Sequence, residues 1–211
     1  MGAKSVKAGR YGERKQINSS FMPARTFAIN EEIGKYAEYV VAYYLRSLGR
    51  MVSHHGGEGE QKFEGRALLT QQGKLISPDL SWFKWIGPRQ RFFWGDVKAK
   101  TYCTLYNRSE EWQTGCDLLA LDRYRLVSAE TQKYCYMFFL QLRADSPDGV
   151  CPTGLFVADT AQLFSSHCAH VWRNNGMIYW DISVLSHDAT LVDLFKIAQC
   201  AHYLQKIEKL L

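Results

Sequence analysis

Apolar residues recur at helical spacing through Ile33, Tyr36, Ala37, Val40, Val41, Tyr44, Leu45 and Leu48, so the first firm element predicted is an amphipathic helix. Asn30 is placed to cap it, Glu31 and Glu32 suit the positive end of its dipole, and Gly49 supplies a stop. The pattern then changes. Met51 and Val52 form a short apolar pair, and residues 54–62, rich in glycine and charge, read as a loop. Residues 75–83 and 91–101 read as two strands of a hairpin, with Gly87-Pro88 marking the turn. A second helix is expected over about 117–130, faced by Leu118, Leu121, Tyr124, Arg125 and Val127, and residues 134–142 read as a buried strand. Ser146-Pro147-Asp148-Gly149 is a turn by composition. Short strands at 154–157 and 177–182 flank a helix near 160–165, and an amphipathic helix over 191–211 closes the sequence.

That order of elements predicts an α/β core with a mixed β-sheet flanked by helices. Residues 1–29 show no sustained period and read as a mobile arm, carrying Lys4, Lys7, Arg10, Arg14 and Lys15 against Glu13 alone in its first half. The basic arm and the net charge of +5 suit a polyanionic partner, although charged ends also serve solubility. At 211 residues and 46% hydrophobic composition, the chain can bury one sizeable core and is not a disordered polymer. No apolar run approaches the roughly 18 residues that span a bilayer, so the expectation is a soluble, cytoplasmic protein with no membrane partner. The six cysteines form no CxxC pair and are expected to be reduced. His167, Cys168 and His170 cluster, but no second pair of zinc-spaced ligands accompanies them, and they read as surface or helix-end residues.

The chemistry concentrates in the predicted hairpin. Pro78-Asp79 falls in its first strand and Asp96-Val97-Lys98 in its second. Side chains alternate across a strand, so Asp96 and Lys98 share a face with Trp94 and Lys100, while Phe93, Val97 and Ala99 point to the other. Two aspartates from neighbouring strands can bracket a hard cation such as Mg²⁺, which holds a phosphate, neutralises developing charge and activates water. Lys98, two residues beyond Asp96, would then orient or deprotonate the water or stabilise the charged phosphate. The bland alternative has Asp79 in a turn, with Asp96 and Lys98 paired across strands on a solvated face. Pro147-Asp148 has no following (D/E)xK, and Glu13-Arg14-Lys15 and Glu60-Gln61-Lys62 lie in unpatterned segments.

These residues resemble the PD-(D/E)xK, or restriction-endonuclease-like, nuclease superfamily, and within it the archaeal Holliday-junction-resolvase-like and small phage nuclease branch. In that branch a glutamate on the first helix precedes a glycine-containing loop. Glu38 takes the matching place here, at the edge of the apolar stripe, with Leu48-Gly49 after it. Gly115-Cys116-Asp117, Leu121 to Tyr124 and the strand over 134–142 resemble the helix and strand that complete the family core. The resemblance covers about residues 30–145 and leaves 146–211 as a C-terminal extension packed on the same domain. It implies a restriction-endonuclease-like core, Mg²⁺ or Mn²⁺ as cofactor, and DNA endonuclease activity leaving a 5′-phosphate. It implies metal binding by Asp79, Asp96, the carbonyl of Val97 and Glu38, with Glu38, Asp79, Asp96 and Lys98 catalytic. The shorter Asp96 stands where glutamate is commoner in the family.

A second class keeps this fold but makes the chain a non-catalytic nucleic-acid-binding or assembly protein. The basic residues Lys84, Arg89, Arg91 and Lys100 are candidates for phosphate contact under either reading. The aromatics Trp82, Phe83, Trp85, Phe92, Phe93 and Trp94 are expected mostly in core or interface. The closing helix fits equally against its own core or against a second copy in a homodimer.

Overall fold

A computed structural model of the protein describes residues 24–55, 67–70, 73–106, 110–165, 170–172 and 176–211. In chain order these form α1 (Ala24–Ser47), β1 (Met51–His54), β2 (Ala67–Thr70), β3 (Gly73–Ile76), β4 (Leu80–Ile86), β5 (Arg89–Lys100), β6 (Thr104–Tyr106) and β7 (Glu111–Asp117). They continue with α2 (Leu118–Thr131), β8 (Cys135–Gln141), β9 (Asp145–Ser146), β10 (Gly149–Val150), β11 (Gly154–Asp159), α3 (Thr160–Ser165), β12 (His170–Trp172), β13 (Met177–Asp181), β14 (Ser186–Ala189), α4 (Leu191–Phe195) and α5 (Ala198–Glu208). The architecture is α/β. A six-stranded mixed sheet runs β1-β4-β5-β8-β11-β14, with helices on both faces. The β5–β8 pair is parallel and its neighbouring pairs are antiparallel. No described helix is long and apolar enough to cross a membrane.

Two cores lie on opposite faces of this sheet. On one, the stripe Ile33, Ala37, Val40, Val41 and Leu45 of α1 packs with Leu204 and Ile207 of α5 over Phe93, Val97 and Phe138. On the other, Leu121, Tyr124 and Val127 of α2 pack with Trp94, Met137 and Phe139. A second sheet, β12-β13-β7-β6, contributes Cys116, Ile178 and Trp180 to that core. The five described cysteines are free and buried.

Local chemistry sets the ends of the elements that matter. Gly49, at φ 74°, ends α1 in a Schellman turn: Gly49 N–H donates to Arg46 and Arg50 N–H to Leu45. Gly87, at φ 58°, opens the two-residue turn from β4 to β5, where the positive φ costs glycine no steric clash. Asp117 caps α2, its side chain accepting from the N–H groups of Leu119 and Ala120 at 2.7 and 3.3 Å.

Three expectations require correction. Helix α1 begins at Ala24 rather than after Asn30, because Ile29, one turn before Ile33, extends the same buried stripe. Asn30 is therefore a helical residue, and the expected arm overlaps the helix over 24–29; residues 1–23 lie outside the described residues. The strand expected over 75–83 is broken at Ser77-Pro78-Asp79, since proline offers no N–H to a ladder. Its first part, β3, pairs with β2 alone among the described strands, and its second part is β4. The closing helix is split into α4 and α5 at Ile197, which adopts an extended backbone (φ −92°, ψ 111°) and turns its side chain into the core. The clusters His167-Cys168-His170 and Glu60-Gln61-Lys62 lie outside the residues whose side chains are described.

Candidate active site

Strand β5 carries the constellation because it lies inside the sheet, with β4 on one side and β8 on the other. The β4–β5 ladder ends at Leu80 opposite Gly95, so Asp79 sits one step beyond it, abreast of Asp96. Asp79 is fixed there twice. Its Oδ2 accepts the N–H of Val97 at 2.9 Å, and its carbonyl accepts the N–H of His55 at 2.6 Å. The bend made by Pro78 thus lets the side chain of Asp79 extend the ladder that its strand has left.

Asp96 is 0% exposed, on the face that α2 and the second sheet cover. The solvated-face alternative for this residue is therefore excluded. Lys98 Nζ lies 2.6 Å from Asp96 Oδ2, a same-strand pair at i and i+2. The Lys98 ammonium thus compensates the charge of a carboxylate that solvent does not reach. The Tyr124 hydroxyl of α2 lies against the same carboxylate, and its ring centroid is 5.7 Å from Lys98 Nζ.

The electrostatics follow from placing these groups together with little water. Burial, then the neighbouring charges of Asp96 and Glu38, push the Asp79 carboxyl well above its usual range; Lys98 and the Val97 N–H only partly offset them. Burial opposes the Lys98 ammonium, but Asp96 and Asp79 outweigh it and hold Lys98 charged well past its ordinary value. Burial and the same two carboxylates raise Tyr124, which stays a neutral hydroxyl. Burial, with Lys98 nearby, lowers the half-buried Lys100.

Glu38 stands on the α1 side and is engaged by His54 of β1, Nε2 to Oε2 at 2.6 Å. The His54 ring stacks on Tyr39 at 4.7 Å, and Tyr39 stacks on Tyr203 of α5. His55 reaches Ser81 Oγ at 2.7 Å. Asp79 therefore feels Asp96 from one side and Glu38 from the other, while among the described residues no three His, Cys, Asp or Glu side chains form a metal-holding group. Of the two neighbouring carboxylates, Asp96 acts on Asp79 more strongly than Glu38 does.

The basic candidates separate. Lys100 shares the Asp96 face and is half-buried. Lys84 pairs across the hairpin with Arg91, and Arg89 pairs with Ile86 at its tip; all three are exposed. By the alternation along β5, Arg89 and Arg91 belong to the face opposite Asp96.

His54, His55, Ser81 and Tyr124 were not legible as site residues. The histidines follow Met51-Val52 directly, and a strand over 51–54 brings them to the edge beside Asp79. Tyr124 lies in the apolar stripe of α2, where a hydroxyl calls for a polar partner.

No family model and no curated protein matches the chain. Among solved structures, it is similar to Hjc, a Holliday junction resolvase from the archaeal hyperthermophile Archaeoglobus fulgidus, at 11% identity and a TM-score of 0.43, over 72% of this chain and 90% of that one.

Proposed function

We propose that this chain is a divalent-metal-dependent nuclease of the PD-(D/E)xK type that cleaves phosphodiester bonds in DNA and leaves a 5′-phosphate. The observation that carries this reading is the pairing of a half-buried carboxylate, Asp79, with the fully buried Asp96 beside the ammonium of Lys98. The order in which they come, a Pro-Asp bend, a hairpin with Asp-x-Lys, then α2 and the parallel strand β8, supports a restriction-endonuclease-like core.

The donor set suits Mg²⁺ or Mn²⁺. Both are hard cations that take oxygen ligands, and Asp79 and Asp96 offer carboxylate oxygens from neighbouring positions of the sheet. Asp79 and Asp96 would hold the ion with the carbonyl of Val97, and Glu38, positioned by His54, would support a second ion or a bound water. Such an ion, when bound, supplies charge neutralisation at the phosphate and a lowered pKa for water. Lys98, kept protonated by its two carboxylates, acts as a donor that orients the attacking water or binds the phosphate oxygens; it is poorly suited to be the base. Tyr124 holds Asp96 and Lys98 in place without itself ionising.

The test is cleavage of labelled duplex, branched and single-stranded DNA with Mg²⁺, Mn²⁺ or EDTA, by the native chain and by Asp79→Asn and Lys98→Ala. Cleavage that needs the metal and falls to background in both variants is the expected result; no cleavage of any substrate with either metal sinks the proposal. A second reading, a nucleic-acid-binding or assembly protein on the same fold, draws on the Lys98–Asp96 contact, which already neutralises one carboxylate. DNA binding indifferent to EDTA, with no cleavage, would select it.

A further inference from the structure

The strands that carry Asp96 on one face carry another constellation on the other. Beside the Schellman turn that brings out Arg50, the α1 side of the sheet opens into a cleft of about 560 Å³. Its floor is aromatic. Trp82 of β4 stacks on Phe93 of β5 at 5.5 Å and 18°, and Phe93 lies 6.3 Å from Tyr134 at 29°. Tyr134 is 52% exposed, so a ring face is open to a ligand.

The lining is charged and unequal. Lys84 and Arg91 stand opposite each other on the β4–β5 ladder, and Arg50 adds a third cation. Across the floor, Asp159 and Asp188 line the side built by β11 and β14. A ligand complementary to all three features has an anionic group for the cations, a flat ring for the aromatic floor, and polar hydrogens on the ring edge for the carboxylates. A nucleotide has this combination: phosphate pairs with Lys and Arg, any base offers a π-face, and base amino groups donate to Asp. The base must be unpaired, because in a duplex both of its faces are covered by its neighbours.

The cleft does not end at Tyr134. Arg91 and Tyr134 also line a neighbouring hollow of about 450 Å³ with Phe92 and Lys133, again an aromatic surface with a cation beside it. One nucleotide would occupy one hollow, whereas a strand crossing the Arg91–Tyr134 ridge would use both.

We propose that this face of the protein is a binding track for single-stranded nucleic acid, with a base stacked on the exposed Tyr134 ring, which Phe93 and Trp82 back from the core, and phosphates on Lys84, Arg91 and Arg50. It is separate from the Asp79–Asp96 centre and stands whether or not that centre cleaves anything.

The test is anisotropy of a labelled single-stranded twelve-nucleotide oligomer with the full chain in EDTA. Arg91→Ala and Tyr134→Ala, both at exposed positions, should each weaken binding by about tenfold. The slope of log affinity against log salt should become shallower by about 0.7 in Arg91→Ala. A duplex of the same sequence should be insensitive to Tyr134→Ala. Native affinity for the single strand in both Arg91→Ala and Tyr134→Ala would overturn the proposal. Competition by free adenosine monophosphate as strong, mole for mole, as by the unlabelled oligomer would overturn the strand assignment.

Discussion

The carboxylate of Asp79 accepts the backbone N–H of Val97 at 2.9 Å, so a side chain takes the place of a ladder partner where β4 has not yet begun. This bond holds Asp79 abreast of Asp96 although the two charges repel. The site is thus a strained electrostatic arrangement on a rigid support, relieved by proton binding or by a cation.

Replacing Asp79 by Asn keeps an oxygen that can accept from Val97 and removes the repulsion. The folded Asp79 carboxyl titrates above its ordinary value of 3.8, so the native state binds its proton more tightly than the unfolded chain does. The cost of ionising it is absent at acid pH, grows as pH rises past that ordinary value, and is complete above the folded pKa. In EDTA, Asp79→Asn should therefore melt higher than the native chain at pH 8 and equally at pH 3.5. Mg²⁺ should raise the melting temperature of the native chain but not of the variant; equal shifts in both would show that the ion binds elsewhere.

Lys98→Ala leaves the fully buried Asp96 without its cation. Removing one partner of a buried pair costs about 3–5 kcal/mol, and the lower end applies because the Lys98 side chain is 28% exposed. Lys98→Met combined with Asp96→Asn should recover most of that loss in urea unfolding while restoring no cleavage. Full additivity of the two single effects would mean that the pair contributes nothing.

His54→Ala frees Glu38 without touching Asp79 or Asp96. Outer partners of metal-binding groups typically contribute 10–100-fold, so calorimetric titration with Mn²⁺ should show affinity weaker by about tenfold. An unchanged affinity would remove Glu38 and His54 from the metal site.

Gly95→Ala tests the wall between the two faces. A Cβ there would lie 2.6 Å from the Trp82 ring and 2.8 Å from Phe138, both in the core. Forced repacking costs about 1–3 kcal/mol, read as a lower urea midpoint with an unchanged slope.

The alternation along β5 is legible in the sequence: Phe93 and Val97 pack toward α1, and Asp96 and Lys98 point the other way. What the sequence conceals is that the second face is also covered. It is covered by β7 and β13, and β7 buries Gln113 and Thr114 where an alternating apolar pattern would be looked for. Gln141 satisfies Thr114 at 2.7 Å, a contact between segments 27 residues apart that no local pattern reports. The Glu38–His54 bond is hidden for the same reason, since it depends on the chain turning back at Gly49.

A strand with a different assignment for each side fixes its own length. Inserting or deleting one residue in β5 after Phe93 would exchange every later side chain between the two compartments, putting the Asp96 carboxylate among the aliphatic residues of α1 and Val97 beside Tyr124. Substitution can tune this segment, but its residue count is locked. Length variation among divergent copies of the chain is therefore expected in the hairpin turn at Gly87 or upstream of Pro78, and not between Phe93 and Lys98.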